Sequence, residues 1–366
     1  MHPSVLAYRD SMTSRRRARS IVDWDFAVQT AEKLVRPGPV VHREEMDEIV
    51  AALRTGAAVS EGHVRDFTGL HADSATAPVL VIDRMGWVKA NADGFAQVMA
   101  PLMDKLVERR RPSMVAAAIG SRVTGAEAGA LLAFLSTKVL GQFDPFWDGA
   151  PGTTGRLLLV APNITAVSAE LGVDARDFRQ WVCLHEETHR VQFTAVPWLR
   201  DHVRGEIRSF IEATDVDPEN LKAMLEQGLR RVGELVRGDG ASLVDLFTGP
   251  EQRAVIERIT AVMSLLEGHA DVVMDGVGPE VVPSVHTIRK RFGQRRKSGR
   301  PVDVLLRRLL GLEAKMKQYA VGETFVNGVV GKVGMEGFNA VWTSPQTLPS
   351  AAEIADPGSW VRRVHG

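Results

Sequence analysis

The stretch between Asp174 and Pro197 is the most tightly constrained part of this chain. An aspartate accepts hydrogen bonds from the first free amides of a helix, and a proline disfavours helical geometry in the residue before it. The two therefore punctuate a helix over residues 175–195. Phe178, Trp181, Val182 and Phe193 recur on one side of it and share that side with His185 and His189. The stripe is expected to be buried. Residues four apart are neighbours on a helix face, so both imidazoles can point ring nitrogens at a single spot, with Glu186 projecting beside them.

His185-Glu186-Glu187-Thr188-His189 fits the HExxH pattern, in which two imidazoles bind one zinc ion about 2.0–2.1 Å away and the glutamate acts as base. The reading this implies is a zinc hydrolase. Zn2+ draws the pKa of water towards roughly 7, and Glu186 takes the proton and passes it to a leaving amine. Such a site needs a third protein ligand and an open position. One subclass supplies a histidine six residues after the second motif histidine, preceded by glycine at the third. Here those positions hold Ala195 and Gln192, which excludes it.

A glutamate on a later helix is the other common source. Gly249-Pro250 reads as a helix start, and Gly276, Gly278 and Pro279 as its end. Between them Ile256, Ile259, Met263, Leu266, Ala270 and Val273 form an apolar stripe, with Glu267 on its edge. A carboxylate there needs a cation, a metal or a set of donors, because burying it unpaired costs several kcal/mol. Asp271, one turn on, is placed to accept the second ring N–H of a ligating histidine. Gly268 costs about 1 kcal/mol relative to alanine in a helix interior, and reads as room for close helix approach. His269 is the alternative metal ligand, but it points about 200° away from Glu267, so only one of them can face the ion.

Glu267-Gly-His-Ala-Asp271 is similar to the signature of thermolysin-like gluzincins, a glutamate and an aspartate three residues apart. The chain more closely resembles a mostly actinobacterial family of zincin-like metallohydrolases. Its marks here are Val22-Asp-Trp-Asp25, Val35-Arg-Pro-Gly-Pro39, the histidine motif with Val191-Gln-Phe193, Leu265-Leu-Glu-Gly-His269, and Gln318-Tyr319 through Gly334-Met-Glu-Gly337. The N-terminal pair resembles a branch labelled as associated with biosynthesis of the deazaflavin coenzyme F-420, which says little about substrate. The resemblance implies a zincin-like metalloprotease fold.

Helical periodicity runs over 26–36, 43–55, 93–110, 125–138, 175–195, 199–213, 217–237, 250–275 and 302–330, so the expected class is mainly α (α+β), with a small sheet beside the histidine helix. Strands are expected at Val79-Leu-Val-Ile-Asp83 and at Arg156-Leu-Leu-Leu-Val-Ala161, the latter either an edge strand that a peptide substrate can extend or a plain core strand, ending in a turn at Pro162-Asn163. The expected division is a basic tail over 1–20, an N-terminal lobe over 21–198 with the edge strand and histidine helix, and a helical C-terminal lobe over 199–366 carrying Glu267. One continuous domain is the alternative.

Among 366 residues, 45 Lys and Arg balance 45 Asp and Glu, so no whole-chain field recruits nucleic acid or anionic membrane. No apolar run approaches the roughly 20 residues of a membrane span. The arginine run of 14–20 leads into Asp23, Asp25 and Glu32 rather than an apolar segment, so export is not expected. A single Cys183 fits a reducing cytoplasm and reads as a small core residue. The basic run His286 to Arg300 reads as a solvated charged loop, against a nucleic-acid or phosphometabolite site. Tyr319 reads as a core tyrosine, with donation to a developing oxyanion as its catalytic alternative. The expected activity is hydrolysis of a peptide or other amide. The competing reading is a metal-binding protein of the same fold with a non-catalytic binding or assembly role.

Overall fold

A computed structural model describes residues 22–72, 77–109, 114–149, 155–213, 249–297 and 312–366. The N-terminal tail and the periodic segments at 217–237 and 302–311 lie outside these residues. In chain order the helices and strands are α1 (Trp24–Leu34), α2 (Arg43–Thr68), β1 (Val79–Ile82), α3 (Arg84–Arg109), α4 (Met114–Leu135), β2 (Gly141–Asp144), β3 (Arg156–Val160), α5 (Ala161–Leu171), α6 (Ala175–Ala195), α7 (Pro197–Ala213), α8 (Pro250–Val277), α9 (Val285–Lys297), α10 (Leu312–Phe338), α11 (Ala351–Ala355) and α12 (Pro357–His365). The described residues are thus mostly helical, with one three-stranded sheet ordered β1-β3-β2. No described helix is long and apolar enough to cross a membrane.

The two helices that carry the chemistry begin and end where their punctuation places them. Asp174 caps α6 by accepting from the amides of Arg176 and Asp177, and α6 stops at Ala195, before Pro197. Pro250 opens α8, and Gly278 closes it with φ 67°, a left-handed conformation that favours glycine.

Three expectations are corrected. β3 is the central strand, paired on both sides, so it has no free edge to receive a peptide. Its run Leu157–Val160 is buried throughout, the signature of a strand covered on both faces. Pro162-Asn163 does not make a turn: it lies in the first turn of α5, where proline's missing N–H has no partner to lose. The basic run is no loop over its first part, because residues 285–297 form α9.

Contacts group the chain into two compact units, and the expected boundary near 198 falls inside the second. The first consists of residues up to Ile49, Leu80–Gln142 and Leu158–Ala166. Its core joins Ala31, Trp87, Val88, Leu132, Ala133, Leu158 and Val160. Arg84 holds it at one end, donating to the carbonyls of Arg36 and Pro37 and to Asn163 Oδ1, each at 2.7 Å. These bonds give the Val35–Pro39 segment its place.

The second unit holds Val50–Val79, Phe143–Leu157 and Val167–Gly366, and with them both α6 and α8. Phe178, Leu184, Leu265, Phe325 and Trp360 are fully buried in it. α8 runs against α10 so closely that a Cβ on Gly268 would strike the backbone of Gly322, and one on Gly322 the carbonyl of Ser264. Gly268 is therefore the close approach the sequence implies. An alanine there gains about 1 kcal/mol of helix propensity but forces the backbones apart, an overpacking that costs about 1–3 kcal/mol or more. Gly268→Ala should therefore lower stability in urea denaturation despite its better helix former. An unchanged or raised midpoint would show that the helices are not in contact there.

Candidate metal centre

His185 and His189 are one turn apart on α6, and their Nε2 atoms lie 3.2 Å from each other. Glu267 approaches from α8, with Oε2 3.7 Å from His185 Nε2 and Oε1 3.7 Å from His189 Nε2. One ligand atom from each of the three residues falls within 4.8 Å of the other two. A tetrahedral ion with bonds near 2.0–2.1 Å keeps its ligand atoms about 3.3 Å apart, so the spacing suits a small divalent cation. Two imidazoles and a carboxylate also match zinc chemically.

The three side chains are not sealed. His185 and Glu267 keep 24% and 25% of their surface, whereas structural zinc sites are closed by four protein ligands. The cluster is thus not closed in the manner of a structural site.

His189 Nδ1 lies 2.9 Å from Gln192 Oε1. Because an amide oxygen only accepts, Nδ1 carries the proton and Nε2 presents its lone pair to the other two residues. The Nε2 of Gln192 donates onward to Leu266 O at 3.0 Å and to His269 Nδ1 at 2.9 Å. His269 is not among the three residues whose ligand atoms converge. It is fully buried and stacked on Phe338 with ring centres 5.3 Å apart, and burial pulls its pKa down to about 3, with a further contribution from His189. The ring is held neutral.

Asp271 stands one turn beyond Glu267, and its Oδ1 and carbonyl oxygen receive Arg289 Nη2 from α9 at 3.2 and 2.8 Å. The same guanidinium reaches Asp275 Oδ1 at 2.8 Å. Arg291 is likewise engaged, donating to the carbonyls of Leu171 and Gly172, and Arg295 pairs with Glu170. Much of the described basic run thus docks α9. Arg296, Lys297 and Arg300 lie outside the described side chains, as does the side chain of Tyr319, which belongs to α10.

Glu186 is buried, and its carboxyl is pushed well above the usual carboxylate range by burial first, then by the negative charges of Glu267 and Glu187. Glu187 lies on the opposite side of α6 and is fully buried. Burial raises it to about 8 although Arg190 opposes the shift, with Nε 2.8 Å from Glu187 Oε2. Neither oxygen of Glu187 has a well-aligned hydrogen bond, so Arg190 compensates its charge rather than satisfying its lone pairs. Arg190 also meets Glu61 Oε2 at 2.5 Å and donates to Ala77 O at 2.7 Å.

Sequence reasoning passed over three of these residues. Gln192 had a signal, a polar residue three positions past His189 on an otherwise apolar stripe. Glu187 and Arg190 also had one, the i,i+3 charge spacing, but nothing in the sequence distinguishes a buried pair of that kind from a solvated one.

A family model described as zincin-like metallopeptidase matches residues 22–361. The chain also matches the crystal structure of a protein from Chloroflexus aurantiacus described as a "putative hydrolase with a novel fold", at 32% identity and a TM-score of 0.69, over 94% of this chain and 99% of that one. No curated protein matches.

The Glu187–Arg190 pair generates a stability prediction. Removing one member of a buried pair strands the other, at a cost of about 3–5 kcal/mol, whereas replacing both with apolar residues is often neutral. Arg190→Met should destabilise the metal-free protein by that order in urea at pH 8.5, and Arg190→Met with Glu187→Leu should recover the part owed to Glu187 but not that owed to Glu61 and Ala77 O. Equal losses in the single and double variants would contradict this. The sign of the pH effect follows from the raised pKa. Glu187 binds its proton more tightly folded, near 8, than unfolded, near 4.5, so its contribution is complete below about pH 4.5 and is lost as pH rises through 8. Glu187→Gln should flatten that decline.

Proposed function

Since the chain belongs to the zincin-like metallopeptidase family, we propose that it is a zinc-dependent hydrolase of amide bonds, with a peptide bond as the first candidate. The observation that carries this reading is the convergence of His185, His189 and Glu267 from two packed helices, all ligand atoms within 4.8 Å. These three residues would hold the metal. When bound, zinc supplies Lewis acidity and brings the pKa of water towards neutrality. His189 offers the lone pair on Nε2 because Gln192 keeps its proton on Nδ1. Asp271, on the same face of α8 as Glu267, is our choice to accept Nδ1–H of His185 and fix that ring in turn.

Glu186 is the base in this proposal. Its proton affinity, raised by burial first and then by the charges of Glu267 and Glu187, makes it a stronger proton acceptor than a solvated carboxylate. A peptide or another amide-containing molecule is the proposed substrate. A purely non-catalytic, metal-binding role is disfavoured by the partial exposure of the three residues and by an intact Glu186. Binding of nucleic acid through α9 is disfavoured because Arg289, Arg291 and Arg295 already have intramolecular partners.

Purified protein should contain close to one zinc per chain by elemental analysis. Glu186→Gln should keep the metal and lose turnover of a peptide library by about 100-fold or more. Glu267→Ala should weaken zinc far more than His269→Ala; the opposite order would move the third-ligand role to His269. A wild-type protein without zinc, unchanged by His189→Ala, would end the hydrolase reading.

A further inference from the structure

We infer that the amide of Gln192 positions the metal centre, fixing the ring of His189 on one helix and the turn that carries Glu267 on the other. The inference rests on the reading of His185, His189 and Glu267 as ligands. Its starting point is the orientation of one buried side chain: Gln192 is 0% exposed, so water cannot replace any of its partners.

The orientation is forced by those partners. Leu266 O lies 3.0 Å from one end of the amide, and a backbone carbonyl can only accept. That end must therefore be the NH2 group, because a flipped amide would set two oxygens against each other. The carbonyl end then faces His189 Nδ1 at 2.9 Å and accepts its proton. The second amide hydrogen goes to His269 Nδ1 at 2.9 Å, so that ring accepts at Nδ1. Every hydrogen-bonding group of the amide has an assigned partner.

The consequence reaches two of the three ligands. Acceptance from Nδ1–H selects the tautomer of His189 whose Nε2 can bind a cation and sets the plane of the ring. Donation to Leu266 O pins the residue immediately before Glu267, so the register of α8 against α6 is set at the height of the metal site. His269 backs the amide from behind, held by its stack on Phe338. A neutral amide does this without adding charge, unlike the carboxylates that commonly orient ligating imidazoles.

The test measures metal affinity rather than turnover. In chelator competition, Gln192→Leu should bind zinc about 10- to 100-fold more weakly than wild type. Gln192→Glu keeps an acceptor towards Nδ1 but sets an oxygen against Leu266 O, so its affinity should fall between those of wild type and Gln192→Leu. With Co2+ in place of zinc, the visible absorption of Gln192→Leu should shift, reporting altered ligand geometry. Val329→Ala, a core truncation in α10 away from these bonds, should lower stability and leave both affinity and spectrum at wild-type values. If Gln192→Leu does not fold, Gln192→Asn, with the same groups one methylene shorter, carries the comparison and should show the same loss. Affinity within about twofold of wild type and an unchanged cobalt spectrum would overturn the inference. A wild-type protein that takes up no stoichiometric zinc would instead overturn the ligand reading, and this inference with it.

Discussion

A carboxylate on the apolar edge of a helix has to be met by a cation or by donors, and this requirement organises the second unit. Glu267 faces two imidazole nitrogens at 3.7 Å, an arrangement that a bound cation would complete. The meeting demands that α6 and α8 come close at one level, which is supported from both sides. Gly268 lets α8 approach α10 at the Gly322 backbone, and Gln192 bonds α6 to Leu266 O. Two imidazoles from one helix and a carboxylate from another converge only if both of these contacts hold, since a shift of about 1.5 Å per residue along either axis would part them.

The site was legible in the sequence because its determinants are local. Helix period puts His185 and His189 on one face, Asp174 and Pro197 fix the ends of α6, and the apolar stripe of residues 256–273 marks Glu267 as a charge in need of a partner. Gly268 was readable for the same reason, as a helix-interior glycine with no local purpose. The fold was legible at the level of helices and two of the strands. β2, Gly-Gln-Phe-Asp, has no apolar run to announce it; it pairs with β3, and its Phe143 stacks on Phe193 of α6 at 5.6 Å. Whether β3 is central or at an edge is a matter of long-range pairing, which a strand's own sequence does not encode beyond its burial on both faces.

Charged residues were the least readable. The basic run looks like a solvated patch or an anion site, yet Arg289 and Arg291 cap carbonyls and carboxylates of neighbouring elements. Composition gives the sign of a charge, whereas its partner depends on what tertiary structure brings within reach. Arg190 makes the same point, since its partners Glu61 and Ala77 come from other elements.

The angular layout of α6 connects these observations to the chemistry. Taking about 100° per residue from His185, Gln192 and His189 fall near −20° and +40°, Glu186 near 100°, Arg190 near 140° and Glu187 near 200°. Neutral groups therefore occupy the metal face and a buried ion pair the back. Glu186 stands between them and feels negative charge from both directions, from Glu267 in front and Glu187 behind. A cation at the front would relieve the first of these and leave the second. The back-side carboxylate thereby adds to the raised proton affinity of Glu186, while Arg190 opposes the corresponding shift of Glu187 itself.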